Sequence, residues 1–465
     1  MGHAPLHNYF AAQLEGLARQ GVLTPGAPLA IAVSGGPDSM ALAQLCLDCA
    51  ASQHPLHILT VDHGLRPESA DEAAQVCAWA QTQGGVTAHQ LHWQKDEEAG
   101  GNVQEQARLG RYALMAQWCV DNDVDLLLTA HHQDDQAETV LMRLGRGSGV
   151  DGLSAMRGRQ QLQTAAGSQV TLLRPLLGVP KQALVQFANS RKLPTVNDPS
   201  NHAQKYARSR HRAFLSSEEA EGLGLSVQRL TQTARTMQRA ADALDAATDK
   251  LATQSITAMP LGYLKVQLAP LFAEEEELRL RLMRLVIGAF NPGTFPIEEE
   301  QLLRLWQWVI GRGIAGQGAD APRYTIRGLL LEKAGATDDP SLFVMREPRA
   351  IAQPLRLCDA PCVWDGRFAL TGDEGGGGND LWCLPVAALG INKVRDELTG
   401  AAAAQFAAAP PMARGTVPAL ATIGDDGEAR MVGLLTDKGG FRPFLQAKTP
   451  LILPESQKFE GESPK

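Results

Sequence analysis

The stretch Leu29-Ala30-Ile31-Ala32-Val33-Ser34-Gly35-Gly36-Pro37-Asp38-Ser39 decides the reading of this chain. An apolar run stops at Ser-Gly-Gly, and Met40 to Ala50 then reads as a helix. A buried strand, a glycine turn and a helix N-terminus together make a phosphate cradle. Glycine lets the backbone come close, and first-turn N–H groups and the helix dipole attract the anion. The turn is not a Walker loop, because GxxxxGK[ST] is absent.

Outward from this stretch, strand and helix patterns alternate. Strands are expected at Leu56 to Asp62, Thr87 to Trp93, Asp125 to Ala130 and Val170 to Leu173. Helices are expected at Asn8 to Gln20, Glu68 to Gln83, Val103 to Val120, Asp134 to Leu144 and Pro180 to Ser190. That order implies an α/β fold with a parallel five-stranded, doubly wound sheet. Ligands then sit beyond the carboxyl ends of the strands, where the loops after Val33, Val61 and Ala130 lie. After Leu215 the texture turns helical, with Leu223 to Leu251, Glu274 to Ala289 and Pro296 to Ile310, then strands at Tyr324 to Glu332 and Leu342 to Arg346. From Ile351 the chain reads as a small β-rich domain. Gly375 to Gly378 and Ala401 to Pro411 read as flexible insertions, and the tail from Glu455 as disordered. The division is 1–215, 216–350 and 351–465, about three domains as the length suggests.

The 465 residues carry a net charge of -8, so any nucleic-acid contact needs a local basic patch. Seven unpatterned cysteines point to reduced thiols and a cytoplasmic setting. Cys46-x-x-Cys49 has no second pair for a zinc knuckle and reads as helix packing. No signal peptide or membrane span is expected.

Four further clusters carry chemistry. Val61-Asp62-His63-Gly64-Leu65-Arg66, with Ser69, follows the second strand. Ala107-Arg108-Leu109-Gly110-Arg111-Tyr112 sets two Arg on one helix face, where the bland reading is a solvated basic stripe. Thr129-Ala130-His131-His132-Gln133-Asp134-Asp135-Gln136-Ala137-Glu138-Thr139 crowds acids and histidines beyond a buried strand. Acids favour a helix's first turn in any case, but that accounts for one or two of them. Oxygen donors such as Asp134 and Asp135 suit Mg2+ or a substrate ammonium group. Between Lys181 and Arg212, seven Lys or Arg stand against one acid, Asp198. That is the local basic patch an acidic protein needs to meet RNA.

Ser34 to Ser39 resembles the pyrophosphate loop of N-type ATP pyrophosphatases, the adenine nucleotide α-hydrolase-like fold. The loop followed by VDHGLR, ARLGRY and the HHQDDQAET run is similar to the bacterial tRNA(Ile)-lysidine synthetases, over residues 29 to 212. The resemblance implies that ATP binds Ser34, Gly35, Gly36, Pro37, Asp38, Ser39, Asp62, His63, Arg108, Arg111, His131 and His132. It implies catalytic roles for Asp38, Arg111, Asp135 and Glu138, with Asp135 and Glu138 also receiving free L-lysine. Mg2+ would be held by Asp134 and Asp135. Lys205, Arg208, Arg210 and Arg212 would meet a tRNA(Ile) with a CAU anticodon, within a D-x-SN…Y-x-RNxxR-like run in which Ser209 and His211 depart from the pattern. The implied reaction adenylates the wobble cytidine and replaces AMP by lysine, changing decoding from AUG to AUA. The later domains would grip tRNA. A thiolase sharing the loop, needing a cysteine at the site, and a non-catalytic RNA-binding relative, which should have lost the carboxylates, are the alternatives. A glutamine-fed amidotransferase would need a glutaminase domain, and none is visible. Oligomeric state, a homodimer included, stays open.

Overall fold

In the computed structural model the described residues are 3–62, 64, 68–94, 103–164, 168–196, 207–290, 297–311, 322–334, 340–357, 362–370, 381–423, 428–434 and 451–452. The chain divides into two compact units, residues 1–242 with 450–465, and residues 243–449.

The first unit is built on β1 (Leu29–Ala32), β2 (Leu56–Asp62), β3 (Val86–His92), β4 (Leu126–Leu128), β5 (Arg159–Gln163) and β6 (Gln169–Leu173). Five strands run parallel in the order β3-β2-β1-β4-β6. These are the five expected from the apolar runs. The sheet has a further edge. Antiparallel β5 pairs with β6, and Leu451–Ile452 pairs parallel to β5. The sequence Arg159-Gln-Gln-Leu-Gln163 is too polar to announce a strand, and only Leu162 and Gln163 are buried.

Side-chain alternation along each strand divides the core between the two faces of the sheet. Leu29, Ile31, Leu126 and Leu128 pack with α1 (His3–Arg19), α2 (Pro37–Ala50), α3 (Ser69–Gln81) and α7 (Lys181–Ser190). Ala30, Leu59 and Leu127 pack on the other face against α4 (Val103–Asp121) through Tyr112, Met115, Trp118 and Cys119. The small residues Ala41, Ala43 and Cys46 let α2 lie close between layers, and each is fully buried. Losing a buried leucine here costs about 2–5 kcal/mol.

Gly110 explains its own place in ARLGRY. A Cβ there would overlap the Trp93 indole. Between α5 (Gln133–Leu144) and β5 lies the short α6 (Val150–Leu153). After α7 come α8 (Ala207–Leu215), α9 (Glu218–Gly222) and α10 (Val227–Ser255). Ala137 and Val140 of α5 pack against Leu230 and Ala234 of α10.

From β1 the chain moves outward to β2 and β3, then returns to place β4 on the other side of β1. Such a reversal opens a crevice beyond the carboxyl ends of the two strands. Ser34–Ser39 follows β1, and Thr129–Thr139 follows β4.

The second unit holds an antiparallel sheet ordered β7 (Ile256–Met259), β8 (Tyr263–Gln267), β11 (Ser341–Arg346), β10 (Leu329–Ala334) and β9 (Arg323–Ile326). Helices Glu276–Phe290 and Glu299–Val309 bury Leu282, Met283 and Trp308 with Leu329, Leu331 and Val344. Leu330 and Met345, on the opposite pleat, share a core with Val386, Val394 and Phe406. Two departures from the sequence reading have plain causes. Tyr324 to Glu332 is a hairpin, because Arg327 and Gly328 take φ of 51° and 72° and turn the chain. Ala401 to Pro411 is largely the helix Gly400–Ala408 rather than a flexible insertion, as a run of alanine favours.

Candidate functional site

The glycine loop is preorganised by its serines. Ser34 N–H donates to Ser39 Oγ at 3.1 Å, and Ser39 Oγ donates to the Gly36 carbonyl at 3.0 Å. Gly35 has φ of +80°, and a Cβ there would stand 3.1 Å from Val196 Cγ2. Gly36 caps α2 with extended backbone, and Pro37 fills the first turn. No side chain caps this helix, so the first-turn N–H groups face the crevice open to an anion.

Across the crevice His132 is the hub. Its imidazole is 3% exposed. Nε2 lies 3.5 Å from Asp38 Oδ2 and 3.5 Å from Asp135 Oδ2, and Nδ1 lies 3.7 Å from Asp134 Oδ2. Burial pulls the imidazole pKa down, but the carboxylates of Asp38, Asp135 and Asp134 outweigh it, so the net shift is upward. His132 therefore joins the loop acid after β1 to the acids after β4. His131 is half-buried, with Nδ1 at 3.0 Å from Thr129 Oγ1.

The acids of α5 have distinct jobs. Asp135 accepts from the His132 N–H at 3.0 Å and fixes the helix start. Asp134 accepts from the Lys181 N–H at 2.9 Å and so caps α7. Glu138 is 3% exposed, and its Oε1 accepts from Arg212 Nε at 2.7 Å. Burial raises the Glu138 pKa, and Arg212 only partly offsets it. Arg212 in turn feels Glu138, Asp135 and Asp38, which together raise its own pKa against burial. Sequence reasoning set Arg212 with tRNA and Glu138 with lysine. The structure puts the two in contact, an ion pair spanning 74 residues that no local pattern signals.

The remaining residues fall into place unevenly. Asp62 organises the turn after β2, accepting from Gly64 N–H and the Ser69 hydroxyl, with His92 at 3.6 Å. Arg108 and Arg111 lie half-buried on α4, with Arg108 over the Tyr112 ring at 5.6 Å. Arg210 is exposed on α8. The backbone of Arg208 belongs to α8, while its side chain, His63 and Lys205 lie outside the described residues.

Among the described residues, no group of three or more His, Cys, Asp or Glu side chains is arranged to hold a metal. Asp38 Oδ1, however, is buried without a hydrogen-bond partner. A lone carboxylate oxygen of that kind fits Mg2+ brought in on phosphates, since Mg2+ takes one or two carboxylates plus phosphate and water. Among the described residues no helix is long and apolar enough to cross a membrane.

A phosphate-cradling loop after β1, facing acids and a histidine after β4 on a doubly wound sheet, defines an ATP-using enzyme of the PP-loop class. The PP-loop domain family, ATP_bind_3, matches residues 7–219. The tRNA(Ile)-lysidine synthase of Wolbachia pipientis wMel is 35% identical over 357 residues, covering 75% of this chain and 78% of that one. That of Zymomonas mobilis is 43% identical over 231 residues, covering 49% of this chain and 66% of that one. The chain belongs to the tRNA(Ile)-lysidine synthase family. Among solved structures, the U34-tRNA thiolase NcsA of Methanococcus maripaludis matches with a TM-score of 0.42 and 16% identity, over 51% of this chain and 80% of that one.

Proposed function

We propose that this enzyme joins free L-lysine to the wobble cytidine of a tRNA(Ile) with a CAU anticodon, consuming ATP and releasing AMP and pyrophosphate. Family membership supports the reaction. The observation that carries the residue assignment is the His132 hub between Asp38 and the α5 carboxylates.

The carbonyl oxygen of cytosine is a poor leaving group. In the first step it attacks the α-phosphorus of ATP, and pyrophosphate departs. The Ser34–Ser39 loop and the N-terminus of α2 hold the phosphates, with Arg111 supplying a bidentate cation. Mg2+, when bound with ATP, would be held by Asp38 together with the phosphates and would offset their charge. His132, whose Nε2 lies 3.5 Å from Asp38 Oδ2, keeps Asp38 aligned at the reacting face.

In the second step an amine of lysine attacks the activated ring carbon and AMP departs with the carbonyl oxygen. Lysine arrives as an ammonium, which Asp135 and Glu138 attract. A carboxylate made more basic by burial is suited to take the proton that must leave before attack. Arg208, Arg210 and Lys205 belong to the basic stretch assigned to tRNA, and the second unit extends that grip. A homodimer remains compatible with this reading.

Sulfur transfer is disfavoured by Cys46, which is fully buried with its thiol pushed well above the usual value by burial. A thiol held protonated makes a poor nucleophile. The test is incubation with ATP, Mg2+, labelled lysine and unmodified CAU-anticodon tRNA(Ile). ATP-dependent incorporation of label into the tRNA is expected; no label, or incorporation without ATP, would overturn the proposal.

A further inference from the structure

A cluster of arginines around the C-terminal end of α5 has no role in the chemistry above. Arg143, in the last turn of α5, donates Nη1 to the carbonyls of Gly152 at 2.8 Å and Ala155 at 3.2 Å. Arg174, just after β6, donates to the Arg157 carbonyl and to Gln160 Oε1, each at 2.8 Å. Both guanidiniums are thus tied to neutral oxygens. Such bonds fix position and leave the positive charge standing. The charges that bear on Arg143 are those of Arg108 and Arg146, and Arg108 also bears on Arg174. After burial, this mutual repulsion is what lowers the Arg143 pKa.

Arg146 is exposed, and its side chain makes no ion pair or hydrogen bond among the described residues. It sits in the turn Gly145–Gly149, which closes α5. Gly147 has φ of +71°, and a Cβ at Gly147 or Gly149 would meet nothing within 4 Å. The backbone of this turn is therefore bare to the solvent side. Leu144, beside it, is 54% exposed. Crowding like charges around a tight turn costs stability, and a fold that only had to join α5 to α6 could use a neutral donor. Departures of this kind concentrate where a ligand repays them. The guanidiniums of Arg143, bonded to neutral carbonyls, and of exposed Arg146, next to backbone that can be approached closely, fit a phosphodiester.

We infer that Arg143 and Arg146, with the Gly145–Gly149 turn, form a patch that holds backbone phosphates of the RNA substrate. The inference rests on the tRNA reading above and adds a second contact surface to the basic stretch around Arg210. Arg143 and Arg174 act as fixed charge, and Arg146 is the direct contact.

Arg146 is the residue to change, because nothing in the fold depends on it. Unmodified CAU-anticodon tRNA(Ile) is titrated with the full chain across a salt series, and ATP affinity is measured in parallel. Arg146→Ala should weaken tRNA binding several-fold and lower the slope of log affinity against log salt by about 1. Arg146→Glu should weaken it further. ATP affinity should not change. Arg19→Ala removes an equal charge from an exposed side chain at the end of α1 and should leave both unchanged. Unaltered affinity and slope in the Arg146 variants would overturn the patch, as would an equal loss in Arg19→Ala. Wild-type binding with no preference for tRNA(Ile) would instead sink the substrate reading. The patch would stand if Arg146→Ala still weakened that general binding.

Discussion

Arg212 and Glu138 meet through a hydrogen-bonded ion pair of 2.7 Å, and the carboxylate side is 3% exposed. Its consequence is a pH dependence. Glu138 already titrates above the ordinary carboxylate range because burial outweighs Arg212. Arg212→Ala removes the cation that restrains it, so the pKa must rise further. The lysine-dependent step needs Glu138 ionised, so the acid limb of its pH–rate profile should move to higher pH in Arg212→Ala. Measuring lysine incorporation from preformed adenylated tRNA across pH checks this. An unmoved limb would remove Glu138 from the proton-handling role.

The same carboxylate predicts a stability trade. A carboxyl whose folded pKa is raised binds its proton more tightly in the folded state, so stability is lost as pH climbs from the unfolded to the folded pKa. Glu138→Gln should therefore match or exceed the wild-type Tm above that window while losing lysine incorporation. A lower Tm at neutral pH would mean that the Arg212 pair stabilises the fold more than burial of the charge costs.

His132 makes the opposite kind of contribution. Its folded pKa is raised, so its stabilising interaction with Asp38, Asp134 and Asp135 is fully present below the unfolded pKa, about 6.5. It is lost as pH rises through the folded pKa. The Tm difference between wild type and His132→Gln should shrink as pH rises through that range. An imidazole NMR titration should give a midpoint above the free-histidine value, and a midpoint below it would contradict the carboxylate hub.

The two loop glycines should separate strain from ligand approach. Gly35→Ala forces a side chain into φ of +80° and against Val196. The left-handed conformation alone costs about 1–2 kcal/mol. Gly36 has φ of -68°, and an added Cβ would meet only Ser34 Oγ, at 3.8 Å. Gly35→Ala should lower both Tm and ATP affinity. Gly36→Ala should leave Tm within error and lower only ATP affinity. Thermal melts with and without ATP distinguish them, and equal melting losses would refute the distinction.

What was legible in the sequence follows a physical divide. β1 and β4 announce themselves because both faces of the sheet are covered, so their runs are apolar throughout. Ser34–Ser39 and Thr129–Thr139 are legible because each acts over a few consecutive residues. β5 was silent, since an antiparallel edge strand tolerates the glutamines of Arg159–Gln163. The position of Arg212 was silent for another reason. A helical arginine in a basic run looks the same whether it faces solvent or a buried acid far away in sequence. Only the approach of α8 to α5 decides, and tertiary packing sets that. The fully buried Arg367 gave no sign either, because its partners come from three separate stretches.

That arginine carries the last prediction. In the second unit Asp365, 3% exposed, accepts from Arg346 Nε at 3.1 Å and Arg367 Nε at 2.6 Å, while its other oxygen accepts from Ala352 N–H at 3.0 Å. Arg367 also donates to the carbonyls of Gly262 and Thr416, tying β8 to the later strands. Burial pushes Arg367 down to about 10 in spite of Asp365. Removing the acid leaves two buried cations facing each other, and breaking a buried pair costs about 3–5 kcal/mol. Asp365 also has φ of +55°. Asparagine tolerates that conformation, so Asp365→Asn isolates the loss of charge from backbone strain. For a unit of this size the Tm should fall by on the order of 10 °C. Calorimetry should assign the drop to the transition of residues 243–449, with the ATP-stabilised transition of the first unit unmoved. A shift smaller than about 2 °C would mean that Arg346 and Arg367 are held by their backbone carbonyls alone.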